Sequence, residues 1–367
     1  MAILNLSPNK FRNLTDAEVA FDPQMNIIVG QNASGKTSLL EAIYVLLTGK
    51  SFRSNRLENI ICRENESDEF MLFGNVAYEN DAYRSHRIGI KKSKVNKSII
   101  KVDDRKIQSA SELVKICPVI IIDPTSFELL YGGPSVRRKF MDWGVFHVEH
   151  LFAKRWSEYI YCLKQRNTLL RAGKIDRLQL DAWDRKLAPL GEQIHRYRDL
   201  YANALMPILK SAAQVFQLDD ELAISYVKGW DKNLSLSDSL AKYRDKDCDR
   251  KHTQFGPHRA DLKLRIKGVA AEETLSRGQQ KLLVMAMYLS HAEYLRVKSK
   301  KNLVVLIDDV GAELDAMNLA QVLLSLRTQN TQVICTALEL NRIEALLSNN
   351  TQYKVFHVEH GNIEPRK

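Results

Sequence analysis

The sequence predicts an α/β fold assembled from both ends of the chain, with an α-helical domain inserted between them. Three observations point there. An apolar run, a glycine turn and an amphipathic helix follow one another in "MNIIVGQNASGKTSLLEAIYVLLTGK" near the N-terminus. Helical texture then takes over from about residue 126, and alternating helices and strands return after about 250. The expected divisions are 1–125, 126–250 and 251–367. In the first, Ile27, Ile28 and Val29 form a buried strand, and Leu39, Leu40, Ile43, Leu46 and Leu47 recur at helical spacing until Gly49 stops the helix. Between 70 and 123 the short runs "FMLFGNVAY", "SHRIGIKK", "SIIKV" and "PVIIID" predict strands and hairpins. Apolar positions from Phe152 to Leu170, and again from Trp183 to Leu205, predict two amphipathic helices joined around "RAGKIDR". Pro189 and Pro207 are expected to kink or restart the second, which argues against a long coiled coil. The last part reads as a helix over 277–297, the strand "NLVVLI", a helix near 317–327, the strand "QVICTA", a helix near 339–348 and the strand "YKVFHVEH".

Composition narrows the function. With 45% hydrophobic residues the chain buries a large core and is not disordered. Lys and Arg number 54 against 44 Asp and Glu, a net charge of +10 that favours an anionic partner such as nucleic acid, although charge alone fits a basic, unspecialised surface equally well. Cys62, Cys117, Cys162, Cys248 and Cys335 are scattered without CxxC spacing, as expected of reduced thiols in a cytoplasmic protein. The start shows no basic-then-apolar leader, and no apolar run reaches the ~18 residues of a membrane span.

Two stretches carry chemistry together. Gly30, Gln31, Asn32, Ala33, Ser34, Gly35, Lys36 and Thr37 match GxxxxGK[ST] between a strand and a helix, with Ser38 following. Successive backbone N–H groups can wrap phosphate oxygens, Lys36 can neutralise the β/γ charge of ATP, and the Thr37 hydroxyl can ligate Mg²⁺. "LVVLIDD" is an apolar strand ending in Asp308, expected in the Mg²⁺ shell, and Asp309, expected to polarise the attacking water. A third stretch, "LSRGQQKLL", opens a helix in the same way: Ser276 stands at the N-cap, and Arg277, Gly278 and Gln279 form its first turn. The chain has one complete phosphate loop, so this second anion-binding start is expected to meet the γ-phosphate of ATP held by another copy, making ATP the bridge of a homodimer.

The order of phosphate loop, LSxGQ-like signature, "LIDD" and "AELD" is that of ATP-binding-cassette ATPases, and the whole chain resembles the RecF family of bacterial recombination mediators, relatives of SMC-type heads. The resemblance runs through "FRN", "GKTSLLEAIY", "SFRS", "GGPSVRRKFMDWG", "LKQRNTLLR", "GPHRADL", "TLSRGQQKLL" and "IDDVGAELD". It implies an ABC-type P-loop ATPase head, an ATP-dependent homodimer that binds double-stranded DNA and single-strand/double-strand junctions, and a weak DNA-stimulated ATPase. It also implies work with RecR and RecO in loading RecA at single-strand gaps, a cytoplasmic and nucleoid-associated place, and Glu313 and Asp315 as D-loop residues. Several positions depart from the superfamily pattern. Ala33 stands where many such loops have Gly, which costs stability if φ is positive there. Asp309 replaces the Glu usual in transporters, and its shorter reach predicts slow hydrolysis, suited to a switch. Ala312 replaces a Ser of the D-loop, and Thr336 is the available substitute for a γ-phosphate-sensing His. No Q-loop glutamine is placed. The alternative reading is an SMC-like structural ATPase head; the 37–275 interval is short for its coiled coil.

Weaker signals remain. The basic stretch 91–106, with Lys91, Lys92, Lys94 and Lys97, is either an anchor for DNA phosphates or a solvated strand face. Arg137 and Arg138 are candidates for tying the helical domain to the head. "VFHVEH" occurs at 145–150 and 355–360, but two His on a strand at this spacing face opposite sides, so metal binding is not expected. Aromatic positions 152, 156, 159, 183 and 197 read as helical packing.

Overall fold

The computed structural model describes residues 1–62, 67–78, 81–172, 176–218, 221–299, 303–309, 314–328, 331–346 and 352–366. The chain divides into two compact units, Met1–Ser126 together with Met285–Lys367, and Phe127–Val284.

In the first unit, the strands Val119–Ile122, Val304–Ile307, Gln332–Ala337, Met25–Val29 and Lys354–Glu359 lie side by side in parallel, and Asn362–Arg366 adds an antiparallel edge. Met25–Val29, Val304–Ile307 and Gln332–Ala337 are buried at every residue, which is why their sequences are apolar runs rather than alternations. The edge strand carries Pro365, tolerable only at such an edge. A second, antiparallel sheet runs in the order Val19–Ala20, Ala2–Asn9, Glu69–Tyr78, Asp81–Ser93, Ile99–Val102, Arg105–Lys106. The helix Lys36–Thr48 buries all but Thr37 and Tyr44, and Leu39, Leu40, Ile43 and Leu46 join residues of both sheets in one core. Gly49 ends that helix in the left-handed conformation, with its N–H on the Val45 carbonyl. Two late features differ from expectation. Of the helix near 339–348 the described residues hold one turn, Asn341–Glu344, while 347–348 lie outside them, and the last strand is half of a hairpin whose two-residue loop is His360–Gly361.

The second unit holds the helices Pro134–Val148, Phe152–Leu170, Arg177–Val215, Leu236–Lys242 and Arg244–Arg250. Neither proline restarts the third of these: it continues through Pro189 and Pro207 as one 39-residue helix. Each proline removes one ladder bond, and the apolar stripe of Leu180, Leu187, Ile194, Tyr201, Leu205 and Leu209 holds the helix across the gaps. The residues 251–284, expected with the C-terminal part of the head, belong to this inserted unit. The reason is that Asp261–Ile266 pairs antiparallel with Leu222–Val227, giving the helical unit a three-stranded sheet completed by Val269–Ala270. Arg137 and Arg138 accordingly bind within it: Arg137 makes a two-pronged ion pair with Asp261, and Arg138 donates to the Ala260 carbonyl. Fully buried Arg166 and Arg198 are paired as well, Arg166 with Asp184 and Asp247, Arg198 with both oxygens of Asp142. The aromatic positions pack on one another, Phe152 against Trp156 and Tyr197, and Trp156 against Tyr159.

Candidate nucleotide-binding site

The parallel strands of the first unit end on one edge, where open α/β sheets collect ligands. Val29 pairs with Ala337 and Ile307 with Cys335, so the loop after Val29 and the carboxylates after Ile307 emerge on either side of Thr336. The Lys36 ammonium donates to the carbonyls of Gly30 (2.7 Å) and Gln31 (2.9 Å), bracing the loop it belongs to. Burial pulls the Lys36 pKa down, against the opposing pull of Asp309 and Asp308. The Thr37 hydroxyl lies 2.9 and 3.0 Å from the two oxygens of Asp308. Burial pushes the Asp308 carboxyl above the usual range; hydrogen bonds from Thr336 and Thr37 work against this, and the charges of Asp309 and Asp123 add to it. A cleft of about 590 Å³ opens over these groups, lined among others by Asn32, Ala33, Gly35, Lys36, Thr37, Ser38, Asp308 and Asp309. Ser34 turns its carbonyl away, toward the Gly361 N–H at 2.8 Å.

These donors fit a nucleotide and its metal. A hydroxyl and a carboxylate side by side are hard oxygen donors, and Mg²⁺ is commonly held by one or two protein oxygens plus substrate phosphates and water. Among the described residues no cluster of three or more His, Cys, Asp or Glu forms a metal cage of its own.

Over 99% of its length the chain is 38% identical to the DNA replication and repair protein RecF of Hahella chejuensis, covering 99% of that protein, and equally to that of Stutzerimonas stutzeri, covering 97%. The chain belongs to the RecF family. The model of the RecF/RecN/SMC N terminal domain matches residues 2–364. A solved structure described as the recombination mediator protein RecF-ATP in the RecFOR pathway superposes with a TM-score of 0.86 at 27% identity, over 100% of this chain and 98% of the other. A solved Smc head bound to the C-winged helix domain of ScpA matches with a TM-score of 0.61 at 15% identity, a likeness of fold alone; with the family model and the RecF-ATP structure it gives the fold as an SMC/ABC-type ATPase head.

In this RecF-family chain the remaining predicted residues are distributed as follows. Ser276, Arg277, Gly278 and Gln279 are all exposed at the start of the helix Arg277–Ser299, in the inserted unit. Ser276 and Gln279 cap it reciprocally, the Gln279 N–H donating to the Ser276 hydroxyl and the Ser276 N–H to the Gln279 side chain. A side chain at Gly278 would meet nothing within 4 Å. Asp315 caps the helix Ala316–Thr328 by accepting from the Asn318 N–H, which holds its pKa low; Glu313 and Ala312 lie outside the described residues. Thr336, between the loop and the carboxylates, donates its hydroxyl proton to Asp308 at 2.8 Å and accepts from the Asp309 N–H at 2.7 Å.

The four lysines do not form one patch. Lys92 turns inward and donates to the Gly49 carbonyl at the helix end; Lys91 pairs with Glu69 and Lys94 with Asp68, while Lys97 is exposed. The alternation of a strand explains it, since Lys91 and Lys92 must face opposite sides. Five residues at or beside the cleft escaped the sequence reading. Arg12, Asn13 and Arg53 line the cleft; fully buried Glu41 accepts two bonds from Arg12 at 2.8 Å, one from Ser51 and a longer one from Arg53. The signal was present: Glu41 is the one acidic residue of the helix and stands between Leu40 and Ala42 within its apolar stretch, with arginine-bearing segments before and after it in sequence.

Proposed function

We propose that this RecF-family protein is an ATP-dependent DNA-binding switch of recombinational repair and replication-fork maintenance, closing as a homodimer on ATP and reopening on slow hydrolysis. The observation that carries it is the convergence of Lys36, Thr37, Asp308 and Asp309, brought from opposite ends of the chain, on one cleft. Lys36 and the loop N–H groups bind and orient the phosphates. Thr37 and Asp308 would hold Mg²⁺, which would supply neutralisation of the phosphate charge. Asp309, whose N–H is anchored on Thr336, orients the attacking water. The exposed, internally unexplained Gly278 supports a role for Ser276–Gln279 toward the nucleotide of a second copy. The net charge of +10 supports a DNA partner, duplex or single-strand/double-strand junction, and relatives named for the RecFOR pathway support RecO and RecR as partners in RecA loading. The test is analytical ultracentrifugation with and without ATP and Mg²⁺, repeated with duplex DNA. Wild type is expected to dimerise with ATP; Ser276→Arg should bind ATP as a monomer with affinity unchanged within about twofold yet form no dimer. Equal loss of ATP affinity in the variant would place the signature in its own subunit's site instead.

A further inference from the structure

We propose that Gly361, at the tip of the C-terminal hairpin, is a positioning residue for the phosphate-binding loop, which makes the last hairpin of the chain a working part of the nucleotide site; this rests on the nucleotide reading of the cleft.

A loop that aims its N–H groups at an anion must turn its carbonyls outward, and those carbonyls need donors of their own. Ser34 is such a residue. Its carbonyl takes the Gly361 N–H at 2.8 Å and a longer bond from the Asn13 amide at 3.5 Å. Gly361 is itself held, its carbonyl accepting from the Thr15 N–H at 3.0 Å and the Thr15 hydroxyl at 3.1 Å. The same hairpin backs the loop at two further points: a Cβ at Gly30 would fall 2.3 Å from the Val358 carbonyl oxygen, and one at Gly35 would fall 3.3 Å from the Val358 side chain. The turn is tight. His360 and Gly361 take φ of 46° and 82°, both positive as in a two-residue type I′ hairpin loop. A Cβ at Gly361 would sit 1.7 Å from the Asn13 carbonyl oxygen, so any side chain there must push the hairpin off the segment 13–15 and off Ser34.

Gly268 provides the control. Its φ is 81°, nearly that of Gly361, but a Cβ there meets nothing within 4 Å. Gly268→Ala therefore carries the same backbone penalty without the collision. The experiment is calorimetric titration of ATP with Mg²⁺ into the full-length protein for wild type, Gly361→Ala and Gly268→Ala, with circular dichroism to establish that each is folded at the titration temperature. Gly361→Ala is expected to raise the Kd tenfold or more and Gly268→Ala to leave it within twofold; a role in stability alone would lower the melting temperature of both and move neither Kd. A Gly361→Ala Kd within twofold of the control overturns the inference. If Gly361→Ala does not fold, Thr15→Val decides: it removes one bond to the Gly361 carbonyl and should raise the Kd at least threefold, and an unchanged Kd overturns the inference. Failure of wild type itself to bind ATP would instead overturn the nucleotide reading.

Discussion

Ala33 sits in the glycine-bearing loop 30–37 with φ at 64°, a left-handed conformation in which its Cβ crowds the backbone. The strain is about 1–2 kcal/mol, and a glycine recovers it at a cost of about 0.5–1 kcal/mol in chain entropy. Ala33→Gly is therefore expected to stabilise the protein by roughly 0.5–1 kcal/mol, read as a small rise in the urea midpoint with unchanged slope. The sequence marked the position but not the sign, because φ is fixed by how the loop is pinned. Lys36 is different: motif and environment agree. Its compact ammonium bridges two loop carbonyls, and a planar guanidinium cannot take that place. Lys36→Arg should weaken ATP binding at least tenfold while the melting temperature moves by no more than a few degrees; ATP-dependent dimerisation equal to wild type would remove the nucleotide assignment. Asp309, at φ 52°, is a second cleft-lining residue held in the left-handed region.

At the scale of elements, "VFHVEH" is instructive. Its first copy runs from the end of the helix Pro134–Val148 into a turn, and its second forms most of the strand Lys354–Glu359. Six identical residues thus take both conformations, decided by what they pack against, so local pattern alone could not place them. The helix through Pro189 and Pro207 makes the same point: propensity predicted a kink or a restart, and with a continuous buried stripe the helix runs through both without restarting. The short turn Pro257–Arg259, just before the strand Asp261–Ile266, carries a pH-sensitive group. His258 is sandwiched between the Tyr159 hydroxyl at 2.7 Å and the Thr253 carbonyl at 3.1 Å; the carbonyl requires the proton on Nε2, leaving Nδ1 to accept from Tyr159. Burial, above all, pushes its pKa down from 6.5 to about 4. Between these values the unfolded chain binds a proton that the folded chain refuses, so stability falls as pH drops through this window, by up to about 1.4 kcal/mol per unit from this group. Above pH 6.5 both states are neutral and the contribution vanishes. Urea midpoints of wild type and His258→Gln at pH 7 and pH 4.5 test this: the variant should lose less stability between the two, and an equal loss would place the titration elsewhere.

At the scale of the whole molecule, the basic excess has to be located before it can be assigned to DNA. Lys92 is committed to a helix end and Lys97 is exposed, so Lys97→Ala is expected to reduce the slope of log affinity against log salt for duplex binding by about one, and Lys92→Ala to leave it unchanged. Equal effects would show that the inward lysine reaches DNA. No helix among the described residues is long and apolar enough to cross a membrane. The sequence by itself determined the α/β class, the glycine-bearing loop between strand and helix, the carboxylate-tipped strand and the capped helix start at Ser276, because each depends on short-range chemistry: an apolar run, a spacing, a cap. Tertiary structure alone decided that Asp308 meets Thr37, that Glu41 gathers Arg12 and Arg53, that residues 251–284 join the inserted unit, and that Gly361 braces Ser34. Those facts depend on which distant segments share a sheet edge, and the energy that chooses among such pairings is spread over the whole core rather than written in any one stretch.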